Sequence, residues 1–245
     1  MENEKGVRLN KYLADAGKCS RREADRWIEE GRVWIDGRRG TLGDRVLPGM
    51  KVTIAGDRVK RQSKPVYIAL NKPVGIVCTC DPNEPNNVVS FIDHDRRIYP
   101  IGRLDKDSEG LLLLTSDGNI VNRILRAAGR HEKEYQVTVD RPVTPEFIRE
   151  MESGVKILGT TTLPCQLKKT SERAFTIVLT QGLNRQIRRM CEALGYRVKT
   201  LRRVRIMNIR LGILKPGQWR NLAPTELSEL FRQLDRADEE RNERA

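Results

Sequence analysis

The chain has 245 residues, a formal net charge of +13 and hydrophobic residues at 38% of its positions. This length suffices for one large domain or for a large and a small one, and the apolar content excludes disorder throughout. The sequence shows no apolar run near the roughly 20 residues of a spanning helix, no secretory signal and no disulfide framework among its five irregularly spaced cysteines. We therefore expect a cytoplasmic protein without a membrane partner.

The first 55 residues are predicted to form a small unit of two helices and a few short strands. Ser20 and Glu23 are spaced as a capping box that begins the second helix, and Gly31 ends it. Polar residues 56–64 are typical of a linker. The expected elements are helices at 8–16 and 20–30 and strands at 33–35 and 50–54.

From residue 65 to residue 234, predicted strands outnumber predicted helices and do not alternate with them regularly. This pattern favours an α+β domain with a mixed, mainly antiparallel sheet over a doubly wound fold. The charged segment 235–245 is expected to be a disordered tail. Domains are therefore predicted at 1–60 and 65–234. The expected strands are 66–70, 75–80, 110–115, 133–139, 175–180 and 206–214, and the helices are 117–128, 184–194, 225–234 and one beginning at Thr144-Pro145.

The positive charge is divided into two patches. The net charge is +6 over residues 1–64, zero over 65–180, +10 over 181–220 and −3 over the remainder. Two basic patches are typical of polyphosphate binding, because each neutralised phosphate releases counterions and adds affinity. The simpler alternative is two solvated basic faces.

Histidine and cysteine offer little support for catalysis or metal binding. His94 and His131 lie in polar loops, where solvated side chains are expected. Cys78 and Cys80 have the wrong spacing for a zinc pair, and no second pair accompanies them. On a strand these two thiols would share one face as small buried residues. We therefore expect no metal site.

The loop 102–110 is the first candidate for chemistry. It is bounded by glycines, carries the carboxylates of Asp105, Asp107 and Glu109, and precedes a fully apolar strand. Loops supported by rigid strands are favoured sites for function. One of these carboxylates could serve as nucleophile or acid–base group, although turns also collect Asp and Gly without any function.

The segment 181–190 is the second candidate. It follows a predicted strand and opens a helix that carries Arg185, Arg188 and Arg189 within little more than one turn. Clustered arginines can bind phosphate or pair with a buried carboxylate. They could also form a solvated helix face.

These segments and two others resemble, in order, the motifs of the pseudouridine synthases. Residues 8–54 resemble the S4 RNA-binding domain, and the combination resembles the branch of the family that modifies ribosomal RNA. The resemblance extends over nearly the whole chain, to about Leu234. Its motifs are Lys72-Pro73-x-Gly75, Gly102-Arg-Leu-Asp105 followed by Gly110-Leu-Leu-Leu-Leu-Thr115, Lys133-x-Tyr135, and Asn184-Arg-Gln-Ile-Arg-Arg189.

The resemblance implies isomerisation of a uridine to pseudouridine without a cofactor or a metal. We also expect the protein to be a monomer. The implied partner is 23S ribosomal RNA or a large-subunit assembly intermediate, and a tRNA anticodon uridine stays open as a second target. The carboxylate at the active site attacks the ribose or removes a ribose proton to give a glycal, and both routes stay open. The group that removes the C5 proton is not identified.

The same resemblance assigns roles to individual residues. Asp105 matches the nucleophile, and Tyr135 matches the aromatic residue that packs on the target base. Arg188, or as second choice Arg185, matches the arginine paired with Asp105. Asp107 and Glu109 are then expected to be solvated turn residues. The expected RNA-contacting residues are Lys72, Arg103, which helps displace the target nucleotide, Arg185, Gln186 and Arg189.

The N-terminal unit is predicted to grip folded RNA. Lys18, Arg21, Arg22 and Arg26 crowd the start of its second helix, where helical N–H groups and cationic side chains suit phosphates. Two other interpretations stay open: an RNA-binding or ribosome-binding factor that kept the fold and lost activity, and a DNA-binding protein.

Overall fold

The computed structural model describes residues 6–60, 64–125 and 131–243. The chain divides into two compact units. The smaller comprises residues to Val66 with segments 95–97 and 116–118, and the larger comprises the remainder. Among the described residues, no helix has the length and apolar character required to cross a membrane.

The smaller unit has the two expected helices, packed on short strands. The capping box is confirmed: the Ser20 hydroxyl accepts the Glu23 N–H at 3.1 Å, and the Glu23 carboxylate accepts the Ser20 N–H at 3.3 Å. Leu9, Leu13 and Ile28 are buried in its core. The elements are β1 Val7–Arg8, α1 Leu9–Asp15, α2 Arg21–Glu29, β2 Val33–Ile35, β3 Arg38–Arg39, β4 Arg45–Val46, β5 Val52–Ile54 and β6 Asp57–Arg58.

Two tight turns organise the four-stranded sheet β3-β2-β5-β6 of this unit. Asp36 and Gly37 both have positive φ, at 47° and 84°, as the tight hairpin turn between β2 and β3 requires. Ala55 and Gly56, at 49° and 93°, form a similar turn. Strand β6 therefore folds back onto β5, whereas the sequence places its residues in a linker. Residues 61–63 of that linker lie outside the described residues.

The larger unit is built around one nine-stranded sheet. Its elements are β7 Tyr67–Lys72, α3 Val88–Ile92, β8 Tyr99–Ile101, β9 Glu109–Thr115, α4 Gly118–Leu125, β10 Lys133–Val139, α5 Pro145–Ser153, β11 Lys156–Ile157, β12 Thr160–Thr161, β13 Gln166–Ser171, β14 Ala174–Leu179, α6 Gln186–Ala193, β15 Val198–Ile206, β16 Ile209–Arg210, β17 Trp219–Asn221 and α7 Pro224–Glu243.

The expected mixed, mainly antiparallel sheet is confirmed. Its order is β13-β14-β10-β15-β9-β7-β17, with β16 beside β15 and β8 beside β9. Within the described segments, β15 and β9 are the one parallel pair, in the register Arg202↔Glu109 and Arg203↔Gly110. This pair brings the end of the loop 102–108 beside β15.

Apolar side chains form two clusters in the larger unit. One contains Leu111 and Leu113 of β9, together with residues of α4 and α7. The other contains Phe175 and Ile177 of β14, with Ile187 and residues of α5. Because both clusters pack against sheet strands, the strand ends and loops that carry polar residues are held on a rigid base.

Two predicted strands are wrong. The segment 75–80 contributes just an isolated bridge at Val77, because Pro73 and the positive φ of Gly75, 96°, interrupt the extended backbone. Cys78 and Cys80 therefore do not share a strand face: Cys78 is buried and Cys80 is exposed.

The strand predicted at 206–214 is displaced toward the N-terminus. The long strand is β15, and the chain reverses after it at Met207, whose φ is 51°, and returns as the short β16. Lysine and arginine positions within 199–205 break the alternation of apolar residues, so the pattern of a strand is not visible there.

The C-terminal segment also differs from expectation. Helix α7 continues from Pro224 to Glu243, so the residues from Asp235 to Glu243 are helical and not a disordered tail. Arg123 donates to the carboxylates of Asp235 at 2.6 Å and Asp238 at 2.8 Å, which ties the added turns to α4. The end of the α4 helix predicted to reach residue 128 lies outside the described residues.

Candidate active site

A cleft of about 510 Å³ lies in the larger unit. Its walls are the loop 102–108, strands β10 and β15, and the segment that leads into α6. The polar and charged side chains that line it are Arg103, Asp105, Ser108, Lys133, Tyr135, Thr180, Gln181, Asn184, Arg185, Gln186, Arg188 and Arg203. The two candidate segments of the sequence are therefore brought together in one cleft.

Asp105 lies in the loop that leads into β9, and its side chain is about one-third exposed (33%). The loop is held by backbone contacts on either side of it. The Gly75 N–H donates to the carbonyl of Lys106 at 2.8 Å, and the Leu104 N–H donates to Sγ of Cys78 at 3.3 Å. Cys78 thus supports the loop, and the Asp105 carboxylate lies at the cleft with solvent access.

Arg185 is the arginine that pairs with Asp105. Its Nη1 lies 3.4 Å from Oδ2 of Asp105. No ion pair joins Asp105 and Arg188 in the described residues. The second choice of the sequence analysis, Arg185, is therefore the partner, and the first choice, Arg188, is not. Arg185 precedes α6 in the left-handed conformation, with φ 49°, and is therefore not on the helix face that carries Arg188.

Arg188 instead fixes the backbone of the loop 102–108. It is buried, and its Nη2 donates to the carbonyl of Asp107 at 2.9 Å and to the Ser108 hydroxyl at 3.3 Å. These two bonds connect α6 to the loop immediately after Asp105. Arg188 is therefore placed to hold the loop, and Arg185 to contact the carboxylate.

Asp107 is an exposed turn residue as expected, and it is also part of this network. Its two carboxylate oxygens accept from Nη1 and Nη2 of Arg185 at 3.2 and 3.0 Å. The hydrogen bond from Arg185, with the charge of Arg188, lowers the pKa of Asp107. The fork of Arg185 is thus held by Asp107 while one of its nitrogens faces Asp105. Glu109 lies 4.0 Å from Arg202.

Tyr135 and Lys133 both reach the cleft from β10, two residues apart on one face of the strand. Tyr135 is half-buried, and its register partner on β15 is Arg203. The Arg203 guanidinium carbon lies 6.0 Å from the centre of the Tyr135 ring. The ring and the buried Arg203 cation therefore line the cleft side by side, and a flat ligand in the cleft can stack on the ring.

Comparison with known proteins decides the family. Residues 66–193 match the family described as RNA pseudouridylate synthase, and residues 7–52 match the S4 domain. The chain belongs to the RNA pseudouridine synthase family. The larger unit of this synthase therefore carries the family's catalytic fold. The loop with Asp105 and the segment 184–189 are the parts of this unit that resemble the family's motifs.

Relatives of this synthase match it over nearly its whole length. Dual-specificity RNA pseudouridine synthase RluF of Escherichia coli strain K12 is 54% identical over 239 residues, 97% of this chain and 82% of that protein. Ribosomal large subunit pseudouridine synthase B of Bacillus subtilis is 36% identical, over 91% of this chain and 95% of that protein. A crystal structure of a pseudouridylate synthase is 28% identical, with a TM-score of 0.67, and covers 92% of this chain and 100% of that chain.

Several residues expected to contact RNA have other roles in the structure. Lys72 is fully buried, and its Nζ donates to the carbonyls of Pro73 at 2.8 Å and Ile76 at 2.9 Å. Gln186 is buried too, and its side-chain oxygen accepts the Leu183 N–H at 3.0 Å. Lys72 therefore supports the site and has no surface for direct RNA contact, whereas Gln186 also lines the cleft and stays a predicted contact.

The other expected RNA-contacting residues lie at the surface. Arg103 and Arg185 are exposed at the rim of the cleft, and Arg189 is half-buried and bonded to Asn184.

His131, expected to be solvated, is buried, and its Nε2 lies 3.1 Å from the carbonyl of Arg123. Burial lowers the pKa of His131.

Lys133 and Arg203 line the cleft, although sequence reasoning did not select either as a site residue. The signal for Lys133 is its position two residues before Tyr135, which predicts a shared strand face. Arg203 lies in a run of basic residues on a strand that was not recognised. Within the described residues, no group of three or more His, Cys, Asp or Glu side chains is arranged to hold a metal ion.

We expect Lys133→Met to change how stability depends on pH. Burial, with the charge of Arg203, lowers the pKa of Lys133 to about 8 from the ordinary value of 10.5. The unfolded chain binds more protons than the folded chain between these values, so the wild type gains stability as pH rises through this window. The gain between pH 7 and pH 10 should be about 2 kcal/mol larger in the wild type than in the variant.

Urea unfolding of both proteins at the two pH values measures this difference. Lys156→Met is the matched control, because Lys156 is exposed and the same substitution there should leave the pH dependence unchanged. If the stability of Lys133→Met and that of Lys156→Met both follow the pH dependence of the wild type, the pKa of Lys133 is not lowered in the folded protein.

In the smaller unit, the predicted RNA-binding cluster is at the surface. Lys18, Arg21, Arg22 and Arg26 are all exposed around the first turns of α2. None of the four forms an ion pair with another residue in the described part of the chain. These cations are therefore available for an anionic partner.

Proposed function

We propose that this synthase isomerises uridine to pseudouridine in 23S ribosomal RNA, as mature RNA or as a large-subunit assembly intermediate, and in a tRNA anticodon as a second substrate. The name of the relatives that are 54% identical states dual specificity, and that of the Bacillus subtilis relative states the large ribosomal subunit. We further propose that the synthase acts as a monomer in the cytoplasm.

The observation that carries this proposal is the Asp105 carboxylate, held by Arg185 in a cleft beside the Tyr135 ring. Cleavage of the bond between uracil N1 and ribose C1′ creates positive character at C1′. A carboxylate at that position can attack C1′ or stabilise the charge. It can also remove a ribose proton to give the glycal. In either route the freed uracil turns and bonds through C5.

The target base must leave its stack before it enters the cleft, at a cost of a few kcal/mol. Stacking on Tyr135 offsets this cost. Arg103, exposed at the rim of the cleft next to the Asp105 loop, is placed to occupy the position that the base has left. Arg188 acts through the loop and not on the substrate, because its hydrogen bonds go to Asp107 and Ser108.

Tritium release from RNA labelled at C5 of uridine tests the proposed activity. The purified synthase should release tritium catalytically from 23S fragments and from a tRNA anticodon stem-loop. Absence of release from every ribosomal fragment, assembly intermediate and tRNA would instead favour an RNA-binding factor without activity. Competition by duplex DNA as strong as by structured RNA would favour a DNA-binding protein.

We expect the exposed cations of α2 to contribute affinity without taking part in the chemistry. Replacing Lys18, Arg21, Arg22 and Arg26 together with Gln should weaken RNA binding. It should also reduce the slope of log affinity against log salt concentration by about 3, because each of the four lost phosphate contacts removes about 0.7–0.9 from the slope. Binding of a labelled RNA fragment at several salt concentrations measures both quantities.

The matched control replaces four exposed cations of the larger unit, Arg149, Lys156, Lys168 and Arg173, with Gln. It changes the net charge equally, so a nonspecific effect of charge would give the same slope in both variants. An unchanged slope in the α2 variant would contradict the assignment of the smaller unit as an RNA clamp.

A further inference from the structure

Arg203 is a buried cation that the roles described above do not use. Only 3% of its surface is exposed, and it lines the same cleft as Asp105 and Tyr135. It lies at the centre of the sheet, opposite Tyr135 on β10 and opposite Gly110 on β9. Its backbone is therefore fixed by strands on both sides.

The hydrogen bonds of Arg203 leave one nitrogen without a partner. Its Nε donates to the carbonyl of Leu111 at 2.8 Å, and its Nη1 donates to the carbonyl of Arg103 at 3.4 Å. Its Nη2 is buried and has no hydrogen-bond partner in the structure. Buried polar groups are nearly always paired, so such an unpaired donor in a cleft needs an explanation.

The charge of Arg203 is also uncompensated. No carboxylate lies within ion-pair distance of it in the described segments, although a buried charge is costly without a partner. Lys133 is a half-buried cation that also lines the cleft; it donates to the carbonyl of His131 at 3.2 Å and has no carboxylate partner among the described residues. The wall of the cleft that carries Tyr135 thus also holds two cations without a carboxylate partner, and it is suited to an anion.

We propose that Arg203 is a further catalytic residue, which donates from Nη2 to a carbonyl oxygen of the target uracil and stabilises the uracil anion while it is detached. This inference rests on the proposed isomerisation. The Tyr135 ring lies next to the Arg203 guanidinium, so a uracil that stacks on Tyr135 comes within reach of the unpaired donor.

The reaction generates a negative charge on uracil, which can compensate the positive charge of Arg203. When the N1–C1′ bond breaks, its electron pair stays on uracil and spreads over N1, O2 and O4. The C5–C1′ bond then forms with an electron pair of the same ring, C5 loses its proton, and N1 gains one, so the product is an isomer of the substrate. A fixed donor that meets this charge lowers the barrier, as donors in an oxyanion hole do.

The alternative is that Arg203 only braces the loop through the carbonyls of Leu111 and Arg103. The two roles differ in their dependence on the leaving group. Fluorine at C5 withdraws electrons and makes the uracil anion more stable, so 5-fluorouridine needs less help from an enzyme cation. If Arg203 only braces the loop, its replacement should slow the reactions of uridine and 5-fluorouridine by the same factor.

The test compares single-turnover rates on a uridine substrate RNA and on the same RNA with 5-fluorouridine at the target. Loss of the nitrogen-linked nucleoside from the digested RNA is measured for both. Arg203→Met is expected to slow the uridine reaction about 100-fold, the loss typical of one such donor, and the 5-fluorouridine reaction several-fold less. The matched control is Arg202→Met on the same strand, which removes an equal charge outside the cleft and should leave both rates near wild type.

An equal loss on both RNAs, or no loss on either, would overturn the proposal. If Arg203→Met does not fold, Arg203→Lys carries the same comparison, because it keeps the charge and loses the forked donor. Its defect should also be smaller on 5-fluorouridine, and an equal defect would overturn the proposal. An inactive wild type would contradict the proposed function itself and not this assignment alone.

Discussion

Replacing Asp105 with Asn is expected to abolish tritium release from C5-labelled RNA, with a loss of at least about 10⁴-fold. The amide keeps the shape of the side chain but removes the negative charge that faces C1′. The loop should keep its position, because Arg185 stays bonded to Asp107 and Arg188 to the loop backbone. RNA affinity should stay within about threefold of wild type, since phosphate contacts supply most of it.

Asp107→Asn is the matched control for this experiment. It removes an equal charge two residues away and leaves Asp105 in place. We expect a smaller loss of activity, about 10–100-fold, because Arg185 loses the partner that orients it and keeps its contact with Asp105. A variant Asp105→Asn that retains more than a tenth of the activity, or an Asp107→Asn variant that is more impaired, would contradict the assignment of the nucleophile.

Gly110→Ala should be the most destabilising single substitution at the site, lowering the free energy of unfolding by about 3 kcal/mol. Gly110 has φ 105°, and a Cβ there would lie 2.3 Å from the carbonyl oxygen and 2.7 Å from the nitrogen of Arg203. Both atoms belong to the backbone of a central strand and cannot move aside. The parallel pairing of β9 with β15 would therefore be forced apart.

Urea denaturation of the wild type and of two alanine variants measures this effect. Gly159→Ala is the control, because Gly159 also has positive φ, 75°, and a Cβ there would meet no atom within 4 Å. It should lose about 1 kcal/mol, the cost of the backbone conformation alone. Equal losses of unfolding free energy in the two variants would show that the close approach of β9 and β15 adds nothing to the destabilisation by Gly110→Ala.

Local signals predicted much of the fold correctly. The capping box of α2 depends on Ser20 and Glu23 alone, and α5 begins at Pro145 after a Thr144 cap as expected. The strands β9 and β10 carry clear apolar or alternating patterns and were predicted within one residue. In each case residues close in the chain determine the structure, so neighbours in space are not needed.

Elements that depend on distant contacts were missed. Strand β15 is central in the sheet, yet basic residues interrupt its apolar pattern because Arg203 bonds to carbonyls of other segments and Arg205 pairs with Glu132 and Glu134. The last turns of α7 are held by Arg123 of another helix. Composition alone makes such segments look like a solvated strand and a frayed tail.

In the candidate site too, features carried by local motifs were predicted, and features that depend on distant contacts were not. Motif order identified Asp105, Tyr135 and the arginine segment, and the structure places all three at one cleft. The choice between Arg185 and Arg188 depends on the left-handed φ of Arg185, 49°, which spacing on an ideal helix does not reveal. Likewise, the burial of Lys72 and Arg203 follows from strand pairing and not from their own sequence context.

The most direct measurement for the central claim is a pseudouridine map of total RNA from cells that contain or lack this protein, with restoration by the wild type or by Asp105→Asn. Pseudouridine should disappear from a specific position in 23S ribosomal RNA and from a tRNA anticodon in cells without it. The wild type should restore both positions, and Asp105→Asn should restore neither. Identical maps in all four strains, or restoration by Asp105→Asn, would contradict the claim that Asp105 drives uridine isomerisation in these RNAs.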